Sequence, residues 1–171
     1  YLKSNIKDML YKIYKNKKRT IGFYKQLIET NNLSFHWEKN FKDFYPILLK
    51  NKKKHNSIPT HSLSELIKIN SLVPNSIYLL LIKKDKKNII GGTLVFVANK
   101  KISIIFYNVI DYKYKTMHPA SLQIFEVIRW SINKGLSIID FGVSQKPNPL
   151  NVIGPHFSLI KFKELFGGVG M

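Results

Sequence analysis

Cysteine is absent from the 171 residues, which excludes disulfide cross-links, thiolate zinc sites and cysteine nucleophiles. Long apolar runs are also missing, because charged residues at 83–87 and 100–101 interrupt the most apolar region. No segment therefore reaches the ~18 apolar residues of a transmembrane helix. The sequence also lacks the H-E-x-x-H, P-loop and paired-carboxylate patterns, which leaves a protease, an NTPase or a glycosidase without support.

Acidic residues and arginine are scarce. Only 10 Asp and Glu oppose 28 Lys and Arg, a formal net charge of +18, and only Arg19 and Arg129 of the basic residues are arginine. A dedicated binder of duplex DNA more often uses arginine, because the guanidinium reads guanine and phosphate with two hydrogen bonds. The charge alone thus does not identify a nucleic-acid partner. A basic nucleic-acid-binding module without catalysis stays an alternative.

The hydrophobic fraction of 44% is enough for a core, and the length predicts one domain over residues 1–171. Residues 1–18 place apolar side chains at helical spacing among lysines, which predicts a basic amphipathic helix. We expect this helix to pack on the domain or to give peripheral contact with the inner face of a membrane. Because the apolar region of a signal peptide is missing, the predicted location is cytoplasmic.

Local signals predict helices and strands along most of the chain. A helix is expected over residues 41–56, with Pro46 restricting its start, and the capping box of Ser62 and Glu65 predicts a helix over 63–72. Three apolar runs separated by turns predict an antiparallel meander, and a helix, a strand, an irregular loop and a last helix follow. The meander strands are expected at 77–83, 89–98 and 102–110, and the later elements at 119–134, 137–141, 143–154 and 156–166. This order predicts an α+β fold with helices covering a mixed sheet.

Five segments in order resemble FemAB-type members of the GNAT acyltransferase superfamily, over approximately residues 10–168. They are KHNSIPTHS at 54–62, EL at 65–66, IGGT at 90–93, DFGVS at 140–144 and KFKELFG at 161–167. The D-F-G triplet alone does not indicate a protein kinase, because no glycine-rich loop, V-A-I-K strand or H-R-D loop accompanies it. The resemblance implies a GNAT-like, mainly antiparallel sheet. Since the chain stops at Met171, the last strand of that sheet could be missing.

The resemblance also implies an N-acyltransferase. Its donor would be acyl-CoA or aminoacyl-tRNA, and its acceptor an amine of a cell-envelope, peptidoglycan or polysaccharide precursor, which can be lipid-linked. Transfer is expected to be direct, because no activated nucleophile is visible, and no permanently bound cofactor or metal is expected. A degenerate relative that only binds a precursor is a further alternative.

In the superfamily the donor pyrophosphate commonly lies where a strand passes into a helix through a glycine-rich turn. Here that junction, residues 111–119, contains no glycine. Its free amides, with Lys113, Lys115 and His118 beside them, are candidates for binding the donor, although the three can also be solvated loop residues. The missing glycine weakens the case for coenzyme A. If the donor is an aminoacylated transfer RNA, the positive net charge of the chain would help to steer that RNA to the site.

His55 and His61 flank a short loop between two helices and are the candidate bases, because imidazole can take a proton from an attacking amine near neutral pH. The sequence does not decide between them, and either could be a capping or surface residue. Asp140 ends a strand expected to be buried, where a carboxylate is costly without a partner. It either orients a His or Lys, or accepts a hydrogen bond from the following loop.

Further candidate binding residues follow from the resembling segments and from the strand that precedes the junction. Lys161 and Lys163 lie two positions apart on a helix, so one of them is expected to face the cleft, where a lysine could bind a phosphate. A solvated helix surface is the alternative for both. The remaining candidates are Lys54, Ser62, Tyr107 and Ser144.

Overall fold

A computed structural model describes residues 2–5, 18–145 and 154–170. The strands are β1 (Leu2–Asn5), β2 (Leu33–Glu38), β3 (Ile77–Lys84), β4 (Asn88–Ala98), β5 (Ile102–Ile110), β6 (Ile138–Asp140) and β7 (Val169–Gly170). The helices are α1 (Lys18–Thr30), α2 (Phe41–Lys54), α3 (Leu63–Leu72), α4 (Pro119–Asn133) and α5 (Phe157–Glu164), with a 3₁₀ helix at Tyr112–Met117.

The strands form one sheet in the order β2-β3-β4-β5-β6-β1-β7. Every neighbouring pair is antiparallel except β5 and β6, which are parallel. The predicted fold class, α+β with a mixed and mainly antiparallel sheet, is therefore confirmed. The meander β3-β4-β5 lies within one residue of its predicted bounds.

Helices cover both faces of the sheet. On one face Phe44 and Leu48 of α2 and Leu66 of α3 are fully buried against Leu79 and Leu81 of β3. On the other face the core is formed by α4 with alternate strand residues, among them Leu80, Val95, Val127, Ile128 and Ile139. Successive side chains of β3 thus face the two cores in turn. Because both faces of the strand are buried, its sequence is apolar without interruption.

The two glycines in β4 allow α2 and β5 to approach closely. A Cβ on Gly92 would lie 2.7 Å from Cδ2 of Phe44, and one on Gly91 would lie 2.9 Å from the carbonyl oxygen of Val109. Any side chain at these positions would push the helix or the neighbouring strand away. The glycines thus set the distance between α2 and the sheet.

A β-bulge interrupts β5. Leu94 of β4 pairs with Tyr107 while Val95 pairs with Ile105, so that Phe106 is the extra residue. Before the bulge Ile105 packs in the core on the α4 side, whereas after it Tyr107 packs in the core on the α2 and α3 side. The bulge therefore reverses which side chains of β5 face which helices.

The N-terminal prediction is wrong for the part that is described. Residues 2–5 form strand β1 instead of a helix, because they pair with β6 on one side and β7 on the other. Helix α1 begins at Lys18, and the rest of the predicted N-terminal helix, residues 6–17, lies outside the described residues. The short strand β7 is the last element of the described residues, and a missing last strand stays a prediction. Helix α1 and strand β2 have no counterpart among the predicted elements.

Most of the predicted loop at 143–154 also lies outside the described residues, which end at Gln145 and resume at Gly154. Gln145 and Pro155 form an antiparallel bridge that closes this segment. Across the described parts of the chain, no helix combines the length and the apolar character needed to cross a bilayer.

Candidate functional site

Two tyrosines hold the loop between α2 and α3, Tyr107 of strand β5 and Tyr45 of helix α2. The amide of Thr60 donates to the hydroxyl of Tyr107 over 2.9 Å, and the hydroxyl of Tyr45 donates to the carbonyl of His61 over 3.3 Å. Tyr107 is buried, and the bulge in β5 gives it this orientation. The predicted base His61 is thus held by its backbone on a rigid part of the fold.

The His61 ring has an unused hydrogen-bonding atom. Its centroid lies 5.4 Å from that of the Phe106 ring. Within the described residues, Nδ1 of His61 has no hydrogen-bond partner although it is buried. A buried polar atom without a partner costs about 1–3 kcal/mol and is uncommon in native proteins. Because the residue as a whole is only half-buried, the ring is also within reach of a ligand.

Ser62, another predicted binding residue, closes the capping box of α3. Its hydroxyl accepts from the amide of Glu65 over 3.2 Å, and its own amide donates to the Glu65 carboxylate over 2.7 Å. The sequence predicted this cap, and the cap alone accounts for a serine at this position.

His55 lies at the other end of the same loop. Its Nε2 is 2.7 Å from the hydroxyl of Tyr112, and the Nζ of Lys54 lies 3.5 Å from the centroid of the same ring. The structure therefore separates the two predicted bases. His61 lies against Phe106 of β5, and His55 lies against the junction between β5 and α4.

Backbone amides of that junction are hydrogen-bonded within the junction itself. Asp111 accepts from the amide of Lys113 through its carboxylate and from the amide of Tyr114 through its carbonyl, both over 3.0 Å. The amide of His118 donates to the carbonyl of Lys115 over 3.1 Å, and His118 itself adopts a left-handed φ of 52°. These bonds belong to the 3₁₀ helix, whose turns satisfy the amides that a glycine-rich loop would leave free. The predicted donor-binding side chains Lys113, Lys115 and His118 are exposed around it.

A carboxylate also stands at the junction. The Nζ of Lys50 donates to both carboxylate oxygens of Asp111, at 3.1 and 3.0 Å. Burial raises the pKa of Asp111, but the hydrogen bonds from the Lys113 amide and Lys50 outweigh it and hold that pKa below its ordinary value. The amides at the start of the junction thus lie beside a carboxylate, which disfavours a phosphate bound to those amides.

The segment after β6 is organised by a buried lysine. The Nζ of Lys163, whose residue is 5% exposed, donates to the carbonyls of Gly142 and Val143 over 2.9 and 2.8 Å and to the Ser144 hydroxyl over 2.8 Å. An ammonium group has three N–H donors, so all of them are used. Burial lowers the pKa of Lys163 to about 8, against the opposing charge of Asp140.

Of the two roles that the sequence left open for Asp140, the structure shows the hydrogen bond to the following loop. Its Oδ1 accepts from the Gly142 amide over 2.7 Å, and its charge favours the protonated form of Lys163. Of the two predicted lysines on α5, Lys163 points inward and Lys161 is exposed. Binding of a phosphate by Lys163 remains a prediction, and it would require the lysine to give up one of its present hydrogen bonds.

His61 lies on the α2 and α3 side of the sheet, because its loop bonds to Tyr107, which packs in that core. Asp140 pairs with Ile104 of β5, two positions before Phe106, which contacts His61. Strand β6 ends at Asp140 while β5 continues to Ile110, so the outer edge of β5 is left unpaired by β6 next to His61. Within the described residues, no hydrogen bond joins Asp140 to either predicted histidine.

Sequence reasoning missed the groups that hold the histidines. Tyr45 lies at helical spacing from the buried Phe41 and Leu48, which could have indicated that it faces the core side of α2. Tyr112 had no distinguishing signal among nine tyrosines. Among the described residues, no group of three or more His, Asp and Glu side chains is placed to hold a metal ion.

Several solved structures are similar to this one. FemX matches with a TM-score of 0.72 and 13% identity, over 98% of this chain and 58% of FemX. The C-terminal domain (DUF2156) of a putative lysylphosphatidylglycerol synthetase from Agrobacterium fabrum gives 0.65 and 12%, over 98% and 56%. An aminoglycoside acetyltransferase from an uncultured soil metagenomic sample gives 0.56 and 16%, over 81% and 89%.

The chain thus spans somewhat more than half the length of the FemX structure. No protein-family model and no curated protein matches the sequence. At these identities the similarity establishes the fold. It is the FemAB-like GNAT fold that the ordered sequence motifs predicted.

Proposed function

We propose that this chain is an N-acyltransferase that moves an aminoacyl group from an aminoacyl-tRNA to an amine of a cell-envelope precursor. The general class, acyl or aminoacyl transfer, is supported by a fold shared with FemX, acetyltransferases and a putative lysylphosphatidylglycerol synthetase. The choice of donor is supported by one observation, the closed junction between β5 and α4.

Coenzyme A carries a pyrophosphate, which needs free backbone amides or cations around it. The amides at Lys113, Tyr114 and His118 are already bonded within the junction, and the Asp111 carboxylate lies beside them. Holding a pyrophosphate there would break these bonds and place like charges together. An aminoacyl ester on RNA has no pyrophosphate, and its phosphodiesters can be held by lysine side chains instead.

His61 is the proposed base. The attacking amine gives a proton to its imidazole, the amine nitrogen bonds to the ester carbonyl carbon, and the bond from that carbon to the ribose oxygen breaks. The products are an amide and a free ribose hydroxyl, which takes up the proton. The bonds from Tyr45 to the His61 carbonyl and from Thr60 to Tyr107 hold the imidazole in place.

The acceptor is proposed from the resemblance to FemAB-type enzymes. It is an amine on a peptidoglycan or surface-polysaccharide precursor, free or lipid-linked. The apolar side chains of Phe106, Ile58 and Val143, which are exposed near the site, are compatible with either form.

The test uses a pool of transfer RNA charged with radiolabelled amino acids and a panel of envelope precursors, with acetyl-CoA as a parallel donor. Transfer converts an alkali-labile ester into an alkali-stable amide, which is counted after base treatment. We expect the wild-type chain to form amide from aminoacyl-tRNA, and His61→Ala to reduce the rate by ~10²-fold or more.

His36→Ala is the matched control, because His36 lies on the edge strand β2 and its ring bonds to Ser34. His55→Ala separates the two candidate bases, and we expect a smaller loss than for His61→Ala. Transfer from acetyl-CoA with an inert aminoacyl-tRNA would overturn the proposed donor. Precursor or RNA binding without amide formation from any donor would overturn the enzyme, in favour of a degenerate relative or a basic binding module.

A further inference from the structure

The end of α2 and the junction after β5 form one basic surface, which we call the α2-junction surface. Its lysines come from two elements that are distant in the sequence, and its acid, Asp111, is already bonded to Lys50. The lysines are Lys50, Lys52, Lys53, Lys54, Lys113 and Lys115.

A lysine-rich helix end has a simple structural explanation, because cations stabilise the negative end of the helix dipole. The helix dipole explains the lysines at the end of α2. It does not explain the lysines of the junction, which lie beside them. Lys54 and His55 are both held on the Tyr112 ring, through the 3.5 Å cation–π contact and the 2.7 Å hydrogen bond. The lysines gathered on this surface repel one another. The repulsion costs stability unless an anion binds there.

The α2-junction surface adjoins the proposed site through the α2–α3 loop. That loop touches Tyr112 at His55 and Tyr107 at Thr60, five residues further on. His61 comes seven residues after Lys54, and seven residues span at most ~25 Å, so His61 lies within this distance of Lys54. An elongated anion bound on the surface can therefore place one end beside His61.

We propose that the α2-junction surface binds the phosphodiester backbone near the acylated end of the donor RNA, with Lys53 and Lys54 as its main contacts. This inference rests on the proposed function. Lysine supplies point charges to phosphates without the two-bond recognition of bases that arginine provides, so binding should depend weakly on nucleotide sequence. At ~3.4 Å per stacked nucleotide, the distance from Lys54 to His61 corresponds to at most about seven nucleotides of single strand.

The test compares two lysine pairs that carry equal charge. Lys53→Gln with Lys54→Gln removes two exposed charges from the α2-junction surface. Lys100→Gln with Lys101→Gln removes two exposed charges from the β4–β5 turn, at the opposite end of β5. Binding of uncharged bulk transfer RNA is measured by fluorescence anisotropy over a series of salt concentrations.

We expect the Lys53 and Lys54 pair to lower the slope of log K against log salt by about 2, or ~1 for each lost phosphate contact. The Lys100 and Lys101 pair should leave the slope unchanged, and Lys53→Arg with Lys54→Arg should restore it. Equal losses for the two glutamine pairs would overturn the proposal, because they would indicate only the overall field of a chain with charge +18.

Anionic lipid vesicles test the competing occupant. Ile58 is 85% exposed on the same loop and would insert into a bilayer if the surface met a membrane. Binding to phosphatidylglycerol vesicles that requires Ile58, Lys53 and Lys54, together with transfer-RNA binding that requires none of them, would overturn the proposal.

The binding assay involves no chemistry, so its outcome is separable from that of the transfer assay. Lysine-dependent RNA binding by a chain that transfers nothing would support the α2-junction surface and overturn the proposed function. Transfer that is unaffected by the Lys53 and Lys54 substitutions would support the proposed function and overturn the proposal for the α2-junction surface.

Discussion

Two buried polar groups flank the candidate site, and they differ in how fully they are bonded. Lys163 uses all three of its donors on the segment after β6, and Asp140 bonds to the same segment. His61 is held through its backbone, while its buried Nδ1 has no partner among the described residues. A saturated group maintains structure, whereas an unsaturated one keeps a hydrogen-bonding position for a ligand. The difference predicts that Lys163 stabilises the fold, and it is compatible with the role proposed for His61.

The largest effect is expected for Lys163→Ala. It removes three hydrogen bonds from a charged donor and leaves a cavity beside Phe162 and Phe166, so we expect the free energy of unfolding to fall by about 3 kcal/mol or more. Urea denaturation measures this loss. Lys163→Met keeps the volume and should lose less. Equal, negligible losses for both variants would show that the lysine does not hold this segment and would break the comparison.

His61→Ala should show the opposite pattern. It removes a buried atom that has no partner, so the free energy of unfolding should change by no more than about 0.5 kcal/mol, although transfer falls by ~10²-fold or more. Parallel melting and amide-formation assays on one preparation separate these effects. A large loss of stability with a proportionate loss of activity would make His61 a structural residue like Lys163.

The pH dependence of stability sharpens the comparison further. Burial lowers the pKa of Lys163 from 10.5 to about 8, so between these values the unfolded chain holds a proton that the folded chain has released. The cost of burying the charge is fully present below pH 8 and is relieved as the pH rises to 10.5. Relative to Lys163→Met, the wild-type chain should gain about 3 kcal/mol across this window. Urea midpoints of the two proteins at each pH measure the gain, and a constant difference would contradict it.

A smaller effect is expected for Tyr107→Phe, which leaves the Thr60 amide without its acceptor. The expected cost is about 1 kcal/mol of stability, and transfer should fall by more than this loss explains because the His61 loop is released at one end. Tyr78→Phe is the matched control, since its hydroxyl also makes one hydrogen bond, to the Asn75 carbonyl, and its ring packs on the opposite face of the sheet. Equal activity in the two variants would show that the loop needs no tyrosine to position His61.

Elements with complete local signals could be predicted from the sequence. Ser62 and Glu65 specified the start of α3, and Pro119 and Gly135 bounded α4, where Gly135 adopts the left-handed φ of 70° that ends the helix. These signals involve residues within a few positions of one another. Strand β1 could not be predicted in this way, because its partners β6 and β7 lie more than 130 residues along the chain.

The site was only partly predictable for a related reason. The ordered motifs gave His61, Asp140 and Lys163, but the contacts that distinguish them depend on the register between β4 and β5. The sequence of β5 is apolar on both sides of Phe106, so the bulge leaves no trace in its pattern. Because the bulge could not be predicted, neither the bond between Tyr107 and Thr60 nor the separation of the two histidines could be inferred from the sequence.

The bulge also implies that β5 can lose one residue at Phe106 without losing its pattern. Deleting this residue would restore simple alternation in β5, because Ile105 and Tyr107 already face opposite sides of the sheet. Tyr107 would stay beside the His61 loop, and Asn108 would keep its bond to Gln123 of α4. The ring that contacts His61 would be lost. A one-residue deletion here would therefore remove the aromatic contact of His61 while sparing both halves of the strand.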